Sequence, residues 1–275
     1  MPLFIHIYGK ETIENPDLSL LSEFLLRLMP NVSVDLREDF FVYMLKGKDK
    51  KELDTLAKRL AEIRVLSPLN RELNAEPLYG EIEYEKRKLL NPATTSIGVF
   101  YDGFEFRDTM VAFIKINERN LRHLHIVFTN QLIATWEEED RRYHARASVF
   151  GFPSIISTSG IVEAPAKNRE YYLTNQILGR DGLMLHDIKK AIEDRYIDYN
   201  DSRMTEIAKG YVAQALSSHL TGYPFCDDRG CRLFNAHWQE ELIYSQIESP
   251  YEFCNYHERM INSMQNPENS RGIPG

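Results

Sequence analysis

The sequence predicts a mixed α/β (α+β) fold in which helices flank a sheet. Short apolar runs at residues 3–8 and 123–128 have the length and residue types of buried strands. The segments 18–28 and 50–63 instead carry apolar residues at helical spacing. The 275 residues are 43% hydrophobic and 27% charged, a balance typical of a chain that buries a sizeable core.

The opening portion, residues 1–65, predicts the element order β-α-β-β-α. Its first strand ends at Gly9, and Pro16 suits the first turn of a helix, which Pro30 then stops. The predicted elements are a strand at 3–8, a helix from Pro16 to Pro30, strands at 32–36 and 40–45, and a helix at 50–63.

The rest of the chain predicts a second run of strands followed by helices. Residues 67–95 are charged and rich in proline, so we interpret them as a linking excursion. Strands are predicted at 96–101, 110–116, 123–128 and 154–157, with a hairpin formed by 131–136 and 143–149. Helices are predicted at 170–178, 185–195 and 201–220, before a disordered tail at 265–275. We expect a single domain over residues 1–262, with 96–262 as its core.

Composition excludes several classes of function. The formal net charge is −8, which disfavours binding to nucleic acid or an anionic membrane, because those surfaces attract Lys and Arg. No apolar run has the roughly 18 residues of a transmembrane helix. The N-terminal residues lack the basic and apolar regions of a signal peptide. We therefore expect a cytoplasmic protein with no nucleic-acid or membrane partner.

All three cysteines lie in one short region near the C-terminus. Cys226 and Cys231 are separated by four residues, and Cys254-x-x-His257 follows after another twenty-two. Two short paired spacings can supply opposite edges of the tetrahedron that zinc prefers. This pattern predicts one structural Zn²⁺ ion held by these four side chains, with no open position for catalysis. Other candidates for the fourth ligand are Asp227, Asp228 and His237, and the alternative is a set of buried free cysteines.

The spacing of these cysteines, together with the residues just before them, resembles that of the archaemetzincins, a family of zinc metallopeptidases. Their motif is His-Glu-x-x-His-x-x-Gly, followed by cysteines at paired spacings. The positions that match are His219, Gly222, Cys226, Cys231 and Cys254, and the resemblance covers roughly residues 95–262. It implies a zincin-like mixed sheet with flanking helices, and a structural zinc site near the C-terminus.

The departures from this motif concern the catalytic residues. Ala215 occupies the position of the first histidine, Leu216 that of the glutamate, and Phe225 that of the third histidine. In the family, histidines at i and i+4 hold one zinc ion and the glutamate activates its water. Only His219 remains of the ligands, with Gly222 as a further remnant of the motif. The resemblance therefore implies a homologue without peptidase activity.

Three functional hypotheses remain open. The first is a binding or scaffold module. The cleft that holds substrate in the peptidases would here be lined by Ala215, Leu216, His219 and Phe225 and would bind a peptide or protein. Alternatively, these residues only fill the core. The second is an active zinc-dependent peptidase or hydrolase with rearranged ligands, His219 and His237. The third is a redox or regulatory role for the cysteines, which their spacing disfavours.

Four further histidines are expected to be structural. His123 and His125 are two residues apart on a predicted strand, so their side chains lie on the same face of a sheet. His6 and His144 also lie on predicted strands, and we expect all four to satisfy local hydrogen bonds.

Overall fold

The structure is a computed structural model that describes residues 3–10, 16–91, 98–169 and 195–265. It divides into two compact units. Unit 1 comprises Met1–Glu11 and Ser33–Ala164, and unit 2 comprises Thr12–Val32 and Pro165–Gly275. The expected helices at 170–178 and 185–195 and the expected tail fall almost wholly outside the described residues. The single domain over residues 1–262 stays a prediction.

Strands and helices are numbered along the described chain. The strands are β1 (Phe4–Tyr8), β2 (Ser33–Arg37), β3 (Val65–Ser67), β4 (Glu72–Leu73), β5 (Phe100–Asp102), β6 (His123–Thr129), β7 (Leu132–Glu137), β8 (Arg142–Arg146), β9 (Ser148–Val149) and β10 (Ser154–Ser157). The helices are α1 (Leu18–Leu28), α2 (Phe40–Leu45), α3 (Lys50–Glu62), α4 (Tyr79–Leu90), α5 (Gly103–Val111), α6 (Thr158–Glu163), α7 (Met204–Thr221), α8 (Gln239–Ile243) and α9 (Asn255–Gln265). A 3₁₀ turn spans Ile116–Glu118, and a π-helical turn spans Tyr244–Glu248.

Unit 1 is built on a five-stranded sheet with the order β2-β1-β6-β10-β9. Strand β1 is parallel to both β2 and β6, β10 is parallel to β6, and only β9 runs antiparallel. A second, three-stranded sheet has the order β5-β7-β8, in which β7 and β8 form the expected antiparallel hairpin. The predicted fold class, a mixed α/β fold with helices flanking sheets, is confirmed.

The core of unit 1 forms where the parallel strands are covered by helices. Ile5 and Ile7 of β1, Ile126 of β6 and Ile155 of β10 are fully buried. Continuous burial of this kind is typical of parallel sheets, and it explains why the strands appear in the sequence as short apolar runs. It also means that a polar side chain in the middle of these strands, such as that of His6 or His125, is enclosed by protein.

The predicted strand at 40–45 is wrong, because Phe40–Leu45 forms helix α2. The Asp39 side chain accepts hydrogen bonds from the backbone N–H groups of Phe41 and Val42, at 3.0 and 3.2 Å, and so caps the helix. The buried residues Phe40, Phe41 and Met44 then share one helical face. A six-residue apolar run fits either a strand or a helix, and here the cap decides between them.

The predicted strand at 110–116 is also wrong. Helix α5 covers Gly103–Val111, and the Asp102 side chain caps it by accepting from the N–H groups of Phe104 and Glu105, both at 3.0 Å. The linking excursion at 67–95 is more regular than expected, because it contains helix α4. The buried face of α4 carries Glu85 and Lys88 beside Leu89, so the sequence shows no apolar helical periodicity there.

Unit 2 contains the longest described helix, α7, with α1 packed against it. Helix α1 begins as expected near Pro16, with Asp17 as its capping residue. Its last turn is held by Arg27, whose guanidinium forms two hydrogen bonds with the Glu252 carboxylate at 2.7 and 2.8 Å. Within the described ranges, no helix is both long and apolar enough to cross a membrane.

Candidate metal centre

Two loops of unit 2 carry the sequence-predicted ligands. The first loop follows α7 and holds Cys226 and Cys231 in a closed turn, because the Cys226 N–H donates to the Leu233 carbonyl at 2.9 Å. Inside the turn, the Cys231 N–H donates to the Asp228 carbonyl at 3.0 Å. The Asp228 carboxylate accepts from the Gly230 N–H at 2.9 Å. This dense hydrogen bonding fixes the separation of the two thiols.

The second loop precedes α9 and carries the other two candidate ligands. Cys254 lies immediately before the helix, and His257 lies in its first turn. The Glu258 N–H donates to the Cys254 carbonyl at 2.9 Å, which closes that turn. The Arg232 N–H donates to the Glu252 carbonyl at 2.8 Å and so joins the two loops.

These loops bring Cys226, Cys231, Cys254 and His257 together as a Cys3His cluster, whose ligand atoms all lie within 4.8 Å of one another. The Cys226 and Cys254 Sγ atoms are 3.8 Å apart, too far for a disulfide, in which sulfurs are about 2.0 Å apart. The His257 Nδ1 atom lies 3.7 Å from Cys231 Sγ and 3.2 Å from Cys254 Sγ.

The separations fit tetrahedral zinc. Bonds of about 2.3 Å to sulfur and about 2.0 Å to nitrogen place two sulfurs about 3.8 Å apart, and sulfur and nitrogen about 3.5 Å apart. The Cys226–Cys254 and Cys231–His257 separations are close to these ideal edges, and the Cys254–His257 separation is shorter. The Cys3His cluster could hold a metal ion, and its three thiols and one imidazole are the donors that zinc prefers.

The electrostatics of the cluster also suit a cation. Burial raises the pKa of Cys231 to about 12, although the N–H groups of Cys254 and Leu233 oppose this by pointing at its sulfur. Burial also raises the pKa of Cys226. Burial lowers the pKa of His257, so its imidazole is neutral and keeps a lone pair for a metal. Without a cation the buried thiols hold their protons, and a bound divalent ion would reverse this.

A buried arginine ties the two loops to the rest of unit 2. The Arg232 guanidinium is paired with the carboxylates of Glu206, on α7, and Glu252, in the second loop. It also donates to the Gln246 carbonyl at 3.2 Å. Because Glu252 in turn binds Arg27 of α1, the loops are connected to helices α1 and α7.

In the turn between the first two thiols, the Tyr251 side chain lies so close to Gly230 that an added Cβ atom would have to displace it. A Cβ atom there would lie 2.5 Å from the Tyr251 Oη atom, which donates to the Asp228 carboxylate at 2.7 Å. We expect Gly230→Ala to destabilise the protein by about 1–3 kcal/mol, as overpacking does, and to weaken metal binding. Urea unfolding with zinc present measures this. Gly80→Ala is the control, because a Cβ at Gly80 meets nothing within 4 Å, and an equal loss in both variants would contradict the prediction.

The structure does not assemble a second site around the other predicted residues. Ala215 and Leu216 are 0% and 5% exposed on α7, and His219 is half-buried one turn later. Gly222 ends α7 with a φ of +80°, a left-handed backbone conformation that favours glycine. Over the described ranges, no group of three potential ligand atoms includes His219 or His237. The rearranged peptidase site therefore gains no support.

Sequence reasoning missed a second cluster, which lies in unit 1. We call His6, His125 and Glu118 the His-Glu cluster; their ligand atoms also lie within 4.8 Å of one another. Strand pairing places His6 directly opposite His125, because β1 and β6 are parallel and in register. Burial lowers the pKa of His125 to about 3 and lowers that of His6, so both rings are neutral. A single sequence does not reveal which strands are neighbours, so it did not show this pair.

The fold and the Cys3His cluster together define a mixed α/β protein with a site suited to a zinc-like metal. The chain belongs to the probable metallopeptidase family DUF6775, whose model matches residues 1–264. Comparisons with curated proteins and with solved structures give no significant match. The family assignment supports the metallopeptidase-like part of the expected resemblance, and it leaves the archaemetzincin relationship as a proposal.

Proposed function

We propose that this protein is a zinc-binding, archaemetzincin-related homologue of the metallopeptidases that has no peptidase activity. One observation carries the proposal: the positions that correspond to the first catalytic histidine and to the glutamate are Ala215 and Leu216, both buried in α7. Neither side chain can bind a metal ion or accept a proton. A hydrolytic zinc site needs three protein ligands and a base for its water.

The remaining histidine does not compensate for this loss. His219 is the only ligand left of the motif, and one imidazole does not hold a catalytic zinc ion. Phe225 stands at the position of the third histidine and is 44% exposed. The alternative with His219 and His237 requires a third donor near both, and none is found in the part of the chain that the structure describes.

The metal at the Cys3His cluster is proposed to be structural zinc. Four protein ligands leave no position for water or substrate, so the ion supplies folding free energy and no chemistry. The protein's own residues do the positioning: Asp228 shapes the first loop, and Arg232 joins it to the second. In this proposal the metal ion holds the two ligand loops together, and the protein acts as a scaffold.

The proposal allows a peptide or protein partner, but only at a limited part of the former cleft. The complete burial of Ala215 and near-complete burial of Leu216 favour the alternative in which these residues fill the core. They do not line an open cleft. Of the four positions named for the former cleft, Phe225 is the most exposed, so a partner would have to bind beside it.

A peptidase assay on the zinc-loaded protein tests the proposed function. We expect no cleavage of a mixed peptide library above the buffer background, and no change in the His219→Ala variant. The His144→Ala variant is a matched control, since His144 lies on β8 in unit 1. Zinc-dependent cleavage that is lost in His219→Ala or His237→Ala, and retained in His144→Ala, would show that the rearranged site is active.

A further inference from the structure

The His-Glu cluster combines three groups that no part of the proposed function uses. His6 and His125 come from neighbouring strands, and Glu118 comes from the 3₁₀ turn that precedes β6. All three are buried: His6 is 5% exposed, Glu118 8% and His125 0%. Buried imidazoles and carboxylates with their donor atoms within 4.8 Å of one another are the components of a metal site.

Each of these side chains is also held in position by a hydrogen bond to a polar side chain outside the cluster. The His6 Nδ1–H donates to the Asp35 carboxylate at 3.2 Å, and the His125 Nδ1 atom is hydrogen-bonded to the Tyr8 hydroxyl at 3.0 Å. The Arg37 guanidinium donates to both oxygens of the Glu118 carboxylate, each at 3.0 Å. Metal-binding histidines and carboxylates are commonly fixed by such outer hydrogen bonds.

We propose that His6, His125 and Glu118 bind one divalent transition-metal ion, for which Zn²⁺ is the reference. Two imidazoles and one carboxylate are a donor set that proteins use for zinc and for Fe(II), with positions left for water. The set contains no thiolate and is therefore chemically different from the Cys3His cluster. The Nε2 atom of each ring would be the donor to the metal. In His125 this atom now carries the proton that faces the Glu118 carbonyl oxygen, so metal binding requires the tautomer with its proton on Nδ1, next to the Tyr8 hydroxyl.

The charges and contacts around the cluster are compatible with a cation. With neutral imidazoles, Asp35 and Glu118 contribute two negative charges and Arg37 one positive charge, so the cluster is negative before an ion binds. Two existing contacts of the Nε2 atoms would have to break before the ion could bind. His6 Nε2 is now 2.9 Å from His123 Nδ1, and His125 Nε2 is 3.4 Å from the Glu118 carbonyl oxygen.

Burial determines what such an ion can do. Because the three donors are at most 8% exposed, a peptide substrate cannot reach the metal. The site therefore does not restore peptidase activity. Its ion would cross-link β1, β6 and the 3₁₀ turn in the centre of unit 1, as structural metals do.

Metal titration of the full chain tests the proposal directly. The protein is stripped with a chelator and titrated with Zn²⁺, and separately with Co²⁺ as a spectroscopic probe. We expect two ions per chain. One Co²⁺ should give the sulfur-to-metal charge-transfer absorption of thiolate ligands, and the other should bind without it. One ion per chain, with thiolate absorption only, would mean that the His-Glu cluster is a closed hydrogen-bond network.

Variants separate the two sites. We expect Cys226→Ser to lose the thiolate-type Co²⁺ and to keep the other; a folded variant that binds no Co²⁺ would overturn the proposal. Asp35→Asn tests the same point without touching a ligand or a buried group, since the Asp35 side chain is 51% exposed. It should weaken only the second ion, by about 10–100-fold. His144→Ala is the control, and equal affinities in wild type, Asp35→Asn and His144→Ala would contradict the assignment.

Discussion

Chelation of the metal at the Cys3His cluster is expected to unfold the C-terminal part of unit 2. Structural zinc contributes about 10–16 kcal/mol of apparent binding free energy in small zinc-dependent folds. Whole domains are stable by only about 5–15 kcal/mol, so the loss of such an ion exceeds any single packing defect. The two ligand loops are short, and hydrogen bonds to one another and to Arg232 help to hold them in place.

Thermal unfolding with and without a chelator measures this effect, and hydrogen exchange locates it. We expect a lower melting temperature and faster amide exchange over residues 222–262 in the stripped protein. Cys231→Ser should reproduce the result, because Cys231 is fully buried and its thiol has no substitute. A melt that is the same with and without the chelator would rule out a structural metal at this cluster.

The same experiment identifies the fourth ligand. His257→Ala should release the ion, whereas Asp227→Ala should retain it, because Asp227 is exposed and lies outside the group of converging donors. The Asp227 variant is a matched control, since it changes the same loop without removing a donor. If zinc is lost from Asp227→Ala and kept by His257→Ala, the predicted ligand set is wrong.

The Cys3His cluster was predictable from sequence because its information is local. Each pair of ligands lies within one loop, and the paired spacings fit two edges of a tetrahedron whatever the surrounding fold. The parallel strands were predictable for a related reason: a strand buried on both faces is a short apolar run with no competing pattern. In both cases a few neighbouring residues determine the outcome.

The His-Glu cluster and helix α4 were not predictable by the same reasoning. His6 and His125 become neighbours only through the pairing of β1 with β6, which a single sequence does not specify. Helix α4 was missed because its buried face carries the charged residues Glu85 and Lys88, which interrupt the apolar pattern expected of a helix. Glu85 is compensated by a buried hydrogen bond of 2.7 Å from the Tyr101 hydroxyl, a partner that is distant in sequence.

Acid is expected to destabilise unit 1 through the two buried histidines. Burial is the main cause of the lowered pKa of His125, about 3, and the charge of His6 adds to it. Burial also lowers the pKa of His6, and the nearby Arg37 cation acts in the same direction, although Asp35 opposes it. Both folded-state values lie below the ordinary value of about 6.5, so the unfolded chain binds protons first as the pH falls.

The sign of the effect follows from that difference. At pH 7 the two histidines are neutral in both the folded and the unfolded state. Stability is then lost as the pH falls from about 6.5 toward 3. Each histidine contributes a slope of at most about 1.4 kcal/mol per pH unit. Urea unfolding at pH 7, 6 and 5 without added metal measures it. We expect His125→Gln to reduce the slope by about 1 kcal/mol per pH unit. Equal slopes in wild type and His125→Gln would show that His125 is not held neutral in the folded protein.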